Sequence, residues 1–447
     1  MNNGNFVIKG DICWSAGPRR LETQPGAFLA CVEGKSGGVF ARLPEQYAAF
    51  PLADYTGRLV VPGLVDLHTH APQFAFRGLG MDLELLDWLK THAFPEEAKY
   101  RDIAYARRAY GLLVEHLKRG PNTRLVIFAT VHTPATLLLM DLLEESGLVS
   151  LVGKVNMDRN SPDILREANA AASLAATREW LDACAARNGD GRYTNTRPII
   201  TPRFIPSCGD ELMRGLGELR RQYGTPIQSH LSENKKEIAW VRELCPESGG
   251  YGAAYRDFGL FGGDAPTVMA HCVWSNVREI ALMAEQGVFA AHCPQSNTNL
   301  SSGIAPVRRF LEAGVPAGLG SDVAGGAHTS IFRAMADAIQ VSKLRGVMYG
   351  ESPDADEKAL TLEEAFYLGT AGGGAFFARC GMGASGSFEP GHDFDAVVID
   401  DTDLAAPFPL SIRDRLERVV YLSDGRHITA KYARGMRIMP ARAGGSD

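Results

Sequence analysis

The chain has 447 residues, 45% hydrophobic and 22% charged, with 46 Lys and Arg against 52 Asp and Glu, a formal net charge of -6. That length can bury one large core or two or three smaller ones, and mild acidity without a basic run argues against nucleic acid or an anionic membrane as a partner. The eight cysteines are scattered singly with no CxxC pair, as expected of free thiols in a reducing cytosol, and no apolar run approaches the roughly 18 residues of a membrane span.

The opening MNNGNFVIKGD has no basic region followed by an apolar core, so secretion is not expected and a cytoplasmic location is. Residues 1–62 carry short β-like runs (NFVIKGDICW, AFLACVEG, GGVFARL) broken by Gly and Pro. From residue 63 to 384 one theme repeats, an apolar run, a polar or Gly/Pro loop, then a helix-length segment. Strands are predicted at GLVDLHTH, RLVIFATVH, SLVGKVNMD, RPIITPRF, TPIQSHLS, PTVMAHCV, GVFAAHCP and VPAGLGSD. About eight such runs suit an α/β fold of the (β/α)8 barrel type. Between them GDELMRGLGELRRQYG has the three- and four-residue apolar spacing of an amphipathic helix. Thr361 with Glu364 forms a capping-box pattern, predicting a helix over LTLEEAFYLGTAGGGAFF.

Gly381, Gly383 and Gly386 in GMGASG match G-x-G-x-x-G, but a helix precedes and a strand follows, the reverse of the dinucleotide-binding context. Residues 385–447 return to β-like runs (FDAVVID, RVVYLSD, HITAKYARGMRI). Both chain ends are therefore expected to pair into one small composite β domain flanking the barrel.

Ionisable side chains gather near the carboxyl ends of the predicted strands: His68, His70, Arg203, His230, His271, His292 and Asp322. In such barrels those ends face the active site. Strand alternation sends Asp66, His68 and His70 to one side, a face lined for a metal. His68, His70, His230 and Asp322 would supply three nitrogens and one oxygen, a donor set for Zn or Fe(II) with a position left for water. Any one of these histidines alone would more often be a satisfied core or surface side chain; the gathering of several is what carries weight. Cys272 and Cys293 follow His271 and His292 and are expected to point away as packed thiols. His132, His292 and His328 are candidates to reach the pocket, with Asn297 beside them, whereas His92, His116, His392 and His427 fall in structural or exposed contexts.

GLVDLHTH, VGKVNMD, PIITPRF, QSHLSEN, AHCPQSN and GLGSDVAGG, in this order, resemble the amidohydrolase superfamily and, within it, the guanine deaminase family, from Pro62 to about Asp400. The resemblance implies a barrel with a composite β domain, one metal ion per chain, usually zinc, and hydrolysis of guanine with water to xanthine and ammonia, often by a homodimer. It makes His68, His70, His230 and Asp322 the metal ligands and gives His271 the nucleophilic water. Glu233 becomes the proton shuttle, and Gln73, Arg203 and Phe204 the guanine-binding residues. RGPNTRLVIFATVH replaces a more Thr-rich segment of the family, and Cys272 stands where many relatives have Gly.

The chemistry also stands on the residues. Water attack at C2 of a purine requires a proton for the ring and a protonated leaving amine. Asp322 is assigned to receive the water proton and Glu233 to deliver one to the ring, with His271 supporting developing charge. Other readings are a zinc amidohydrolase for a pterin, triazine or cytosine, and a scaffold that has lost catalysis. Retention of all four ligands and Glu233 argues against the scaffold, and the H-x-E with P-C-x-x-C signature of cytidine deaminases is absent.

Overall fold

A computed structural model describes residues 4–349 and 358–439, so the outermost residues of both flanking segments lie outside it. Two four-stranded parallel sheets make the barrel. One holds Leu64–His70, Asn122–Phe128, Val149–Gly153 and Thr196–Pro198; the other holds Ile227–Leu231, Thr267–His271, Phe289–His292 and Ala317–Leu319. A parallel bridge between Ile200 and Ile227 joins them on one side. On the other, the Asp322 amide donates to the His68 carbonyl (2.8 Å) and the His70 amide to that of Val323 (3.1 Å), closing the ring. Each of the eight predicted runs overlaps one of these strands, because strands covered on both faces read as short continuous apolar runs. RPIITPRF shares only Arg197 and Pro198 with its strand. Asp210–Tyr223 is one of the outer helices; it buries Leu212, Met213, Leu216 and Leu219 and ends at Gly224 in the left-handed region.

Both chain ends build one seven-stranded sheet, in the order Met436–Arg437, Ile428–Ala433, Ala396–Ile399, Leu52–Pro62, Asn5–Gly17, Arg20–Val32, Lys35–Phe40. The junction is the antiparallel pairing of Ala396–Ile399 with Leu52–Pro62, which itself leads straight into the first barrel strand. The sheet has its own apolar cluster, including Ile8, Leu29, Val60, Phe394 and Val398. Arg124, wholly buried at the base of the second barrel strand, fastens sheet to barrel: its Nε donates to Asp395 (2.6 Å), its Nη2 to Asp393 (2.6 Å) and its Nη1 to the Met382 carbonyl (2.9 Å).

Two local readings change. RVVYLSD is not β structure: all but its last two residues lie in the helix Ile412–Leu422, started by a reciprocal Ser411–Asp414 capping box and buried through Leu416, Val419 and Val420. Packing at helical spacing outweighs the β-branched pair. The second barrel strand stops at Phe128, and His132 instead precedes the helix Thr133–Ser146 as its cap. The GMGASG glycines serve the chain path, since a Cβ on Gly383 would lie 2.2 Å from Asp393 Oδ2 and one on Gly386 2.3 Å from the Thr370 carbonyl. The Thr361–Glu364 capping box forms as predicted.

Candidate active site

Four histidines and an aspartate converge where the barrel strands end. His68 and His70 come from the end of Leu64–His70, His230 from Ile227–Leu231, His271 from the last position of Thr267–His271, and Asp322 from just beyond Ala317–Leu319. His68 Nε2 lies 3.1 Å and His70 Nε2 3.6 Å from Asp322 Oδ1, and the Nε2 atoms of His70 and His230 are 3.2 Å apart. The Phe128 ring backs His68, His70 and His230 at centroid distances of 5.0, 4.6 and 4.8 Å. Forming this constellation strains the backbone: Ser232, His271, Cys272 and Asp322 all adopt positive φ, at 48°, 72°, 52° and 45°. Such conformations cost on the order of 1–3 kcal/mol each and persist only where surroundings impose them. Cys272 thus occupies a conformation in which glycine would be free.

The donor set suits a metal ion. His230 Nδ1 donates to the Arg203 carbonyl at 2.6 Å, which leaves the lone pair of the neutral ring on Nε2, aimed at His70. His68 Nε2 is buried without an aligned hydrogen-bond partner. Burial pushes the His68, His70 and His230 imidazoles below their ordinary values, toward the neutral form that ligates. Ligand atoms of His68, His70 and Asp322, and of His68, His230 and His271, lie within 4.8 Å of one another. These residues can hold a divalent cation.

Asp66 shares the strand face but not the site. Its oxygens are taken by the Ser321 amide (3.0 Å), the Ser321 hydroxyl (2.6 Å) and the His68 amide (3.2 Å), which fixes the turn into Asp322. Cys293 also departs from expectation. It lies one residue beyond the strand Phe289–His292, where alternation no longer applies, and its Sγ comes within 4.8 Å of His271 and Asp322 ligand atoms. Cys272 is a packed thiol that burial pushes well above its ordinary value.

A cavity of about 400 Å³ opens on the cluster, and Gln73, Arg203, Phe204, Glu233, His271 and Asp322 all line it. Glu233 Oε1 accepts from the Ser302 hydroxyl at 2.9 Å, while Oε2 sits 3.5 Å from His271 Nε2. His271 Nδ1 in turn donates to Asn297 Oδ1 at 2.9 Å. Burial raises the Glu233 carboxyl, with His271 partly offsetting it. Burial also opposes ionisation of Asp322, and a positive charge on the neighbouring His68 or His271 would draw its carboxyl the other way, below the carboxylate range. His132, His292 and His328 do not line the cavity.

Sequence reasoning passed over Glu97. It is 2% exposed, on the short helix Phe94–Ala98, and takes Arg203 Nη1 on Oε2 (2.6 Å) and both Arg203 Nη2 (3.1 Å) and Gln73 Nε2 (2.8 Å) on Oε1. The only signal for it is indirect: a buried arginine requires a counter-charge.

Residues 59–437 match the amidohydrolase family. The chain is 40% identical over 389 residues to the guanine deaminase of Dictyostelium discoideum, covering 86% of this chain and 83% of that protein. To the guanine deaminase of Homo sapiens it is 35% identical over 388 residues, 85% and 83% of the two chains. A crystal structure of the C. acetobutylicum guanine deaminase with guanine bound in its active site superposes with a TM-score of 0.91 at 42% identity, over 97% of this chain and all of that one. The family match spans the whole barrel, the end of Leu52–Pro62 and the three C-terminal strands of the composite sheet, and the chain belongs to the amidohydrolase family.

Proposed function

We propose that the chain is a guanine deaminase, hydrolysing the exocyclic C–N bond of guanine to give xanthine and ammonia. One observation carries this reading: a single cavity joins the histidine–aspartate cluster to a wall of hydrogen-bond donors from Arg203 and Gln73. The relatives' activity and the guanine held by the C. acetobutylicum enzyme support it.

In this reading His68, His70, His230 and Asp322 hold one zinc ion per chain, with Fe(II) fitting the same donors. A divalent cation there would lower the pKa of a water to about 7, supplying a nucleophile at neutral pH. Asp322, ionised, accepts the proton of the attacking water. Glu233, whose burial favours its protonated form, delivers a proton to the purine ring. Asp322 then passes the proton it took from water to the exocyclic amine, which leaves as ammonia as the C2–N bond breaks. The C2 hydroxyl and ring nitrogen settle to the oxo form of xanthine with return of one proton to Glu233. The two carboxyls stand in different surroundings, Asp322 among the histidines and Glu233 against Ser302 and His271, and divide base and acid roles between them. His271, held by Asn297, steadies the water and the charge that develops at C2. Arg203 turns its remaining donors toward O6 of guanine, Gln73 meets the neighbouring edge, and Phe204 packs on the ring.

Residues 63–384 would form the catalytic barrel and residues 1–62 and 385–447 the composite domain, in a cytoplasmic homodimer. No helix among the described residues is long and apolar enough to cross a membrane. The test is turnover of guanine, adenine, cytosine and pterins by purified protein, with metal analysis. Xanthine and ammonia should form from guanine, cease on chelation and return with zinc. Faster turnover of a pterin or cytosine than of guanine, or full activity without metal, refutes the proposal.

A further inference from the structure

Behind the cavity wall, Glu97 contacts the two side chains assigned to reading the purine edge without itself lining the cavity. Its geometry determines more than their position. An ionised carboxylate only accepts hydrogen bonds, so the Gln73 atom facing it at 2.8 Å must be the NH2 group. Independently, the Ala324 amide donates at 3.1 Å to the other Gln73 atom, which must therefore be the carbonyl oxygen. Two unrelated partners thus impose the same amide orientation. The bidentate contact likewise takes one hydrogen from each Arg203 terminal nitrogen, at 2.6 and 3.1 Å, and fixes the plane of the guanidinium. Phe94, one turn back on the same short helix, lies 5.0 Å from Arg203 Cζ.

We infer that Glu97 is a specificity-determining positioning residue: by pairing with both Arg203 and Gln73 it sets which of their donors and acceptors face the substrate, and it cancels the arginine charge so that the wall reads a neutral purine. The inference rests on the guanine reading above. Without Glu97 the guanidinium would be free to turn and would carry an uncompensated positive charge in a buried wall. Such a pocket discriminates less against an amine at the O6 position and favours an anionic ring.

The test is a cycle of Glu97→Gln, Arg203→Gln and the double variant, with kcat and KM for guanine and for 2,6-diaminopurine, bound metal, and inhibition by urate, a purine anion at neutral pH, against neutral hypoxanthine. Glu97→Gln should raise KM for guanine on the order of tenfold or more, the scale set by removing a hydrogen bond to a charged group. Metal content should be kept and kcat should fall less than KM rises. The preference for guanine over 2,6-diaminopurine should narrow, and urate should gain on hypoxanthine as inhibitor. The double variant should behave as Arg203→Gln alone, because Glu97 acts through its partners. Glu97→Asp keeps the charge but withdraws the oxygens by one methylene. Should Glu97→Gln fail to fold, Glu97→Asp should still raise KM and narrow the preference. An unchanged KM and preference in whichever of these variants folds, or fully additive effects in the cycle, overturns the inference. Failure of the wild type to deaminate guanine would instead refute the function proposed for the site, a separate outcome read before any variant is compared.

Discussion

Glu233→Gln separates proton transfer from shape. Glu233 is 5% exposed, and glutamine is nearly isosteric with it, so the exchange leaves no cavity. The Ser302 hydroxyl, 2.9 Å from Oε1, can donate equally well to an amide oxygen, which directs the new NH2 group to the Oε2 position, 3.5 Å from His271 Nε2. No proposed metal ligand is altered. What disappears is a titratable group on the cavity wall, the one proposed to protonate the ring, and general acid–base catalysis by one side chain contributes about 10²–10⁴-fold, or about 2.7–5.4 kcal/mol at 1.36 kcal/mol per tenfold. The measurement is kcat by stopped assay of ammonia release, with guanine affinity by equilibrium titration and metal by atomic absorption. kcat should fall within that range while affinity and metal stay near wild type. Turnover within about threefold of wild type, far below the range for a lost acid–base group, would refute the assignment, as would loss of the metal.

Removing Arg124 as Arg124→Met takes from Asp395 its charged partner inside the barrel–sheet junction, while Asp393 keeps Lys35 and Arg434. Breaking a buried pair in this way costs about 3–5 kcal/mol, to be read as a drop in unfolding free energy by urea titration; a loss under about 1 kcal/mol, the scale of a surface pair, would refute the fastening role. Glu364 accepts both Arg308 terminal nitrogens at 2.6 Å and Arg19 Nε at 2.8 Å. Burial opposes its ionisation, but Arg308, the Thr361 amide and Arg19 together bring its pKa down to about 2. The folded state therefore binds fewer protons than the unfolded one between about 4.5, the ordinary glutamate value, and about 2. The stabilisation is whole above that window and is lost as pH falls through it. Glu364→Gln should be less stable than wild type at pH 7, and the difference should shrink on acidification; a pH-independent difference would refute the ion-pair account.

The barrel was legible because its strands are apolar on both faces and end in ionisable residues, an unusual pairing of textures within a few positions. Period-two alternation gave the face of Asp66 but not its depth; two residues earlier on the strand, it meets Ser321 rather than the cavity. Cys293 was misplaced because alternation was carried one residue past the strand end. RVVYLSD has the composition of a strand, and its helical start signal, Ser411 with Asp414, stands outside the run. Leu52–Pro62 was hidden by the Thr56–Gly57 break in its pattern. Glu97 could not be read locally, since its partners lie 24 and 106 residues away.

Side chains at the cavity are each held by a group set further back: His230 by the Arg203 carbonyl, Arg203 and Gln73 by Glu97, His271 by Asn297, Glu233 by Ser302. The last two supports are not independent. Asn297 closes into the turn that carries Ser302, whose amide donates to the Asn297 carbonyl at 2.9 Å, and the Ser302 carbonyl accepts from Trp274 Nε1 at 2.8 Å. One short segment after the strand Phe289–His292 therefore orients both the imidazole proposed to steady the water and the carboxyl proposed to supply the proton. Trp274 ties that segment to the loop following His271 itself. A shift of this turn would disturb the supports of both groups at once, which stand 3.5 Å apart. The strands thus deliver the side chains to the cavity, and short connections behind it hold them in place.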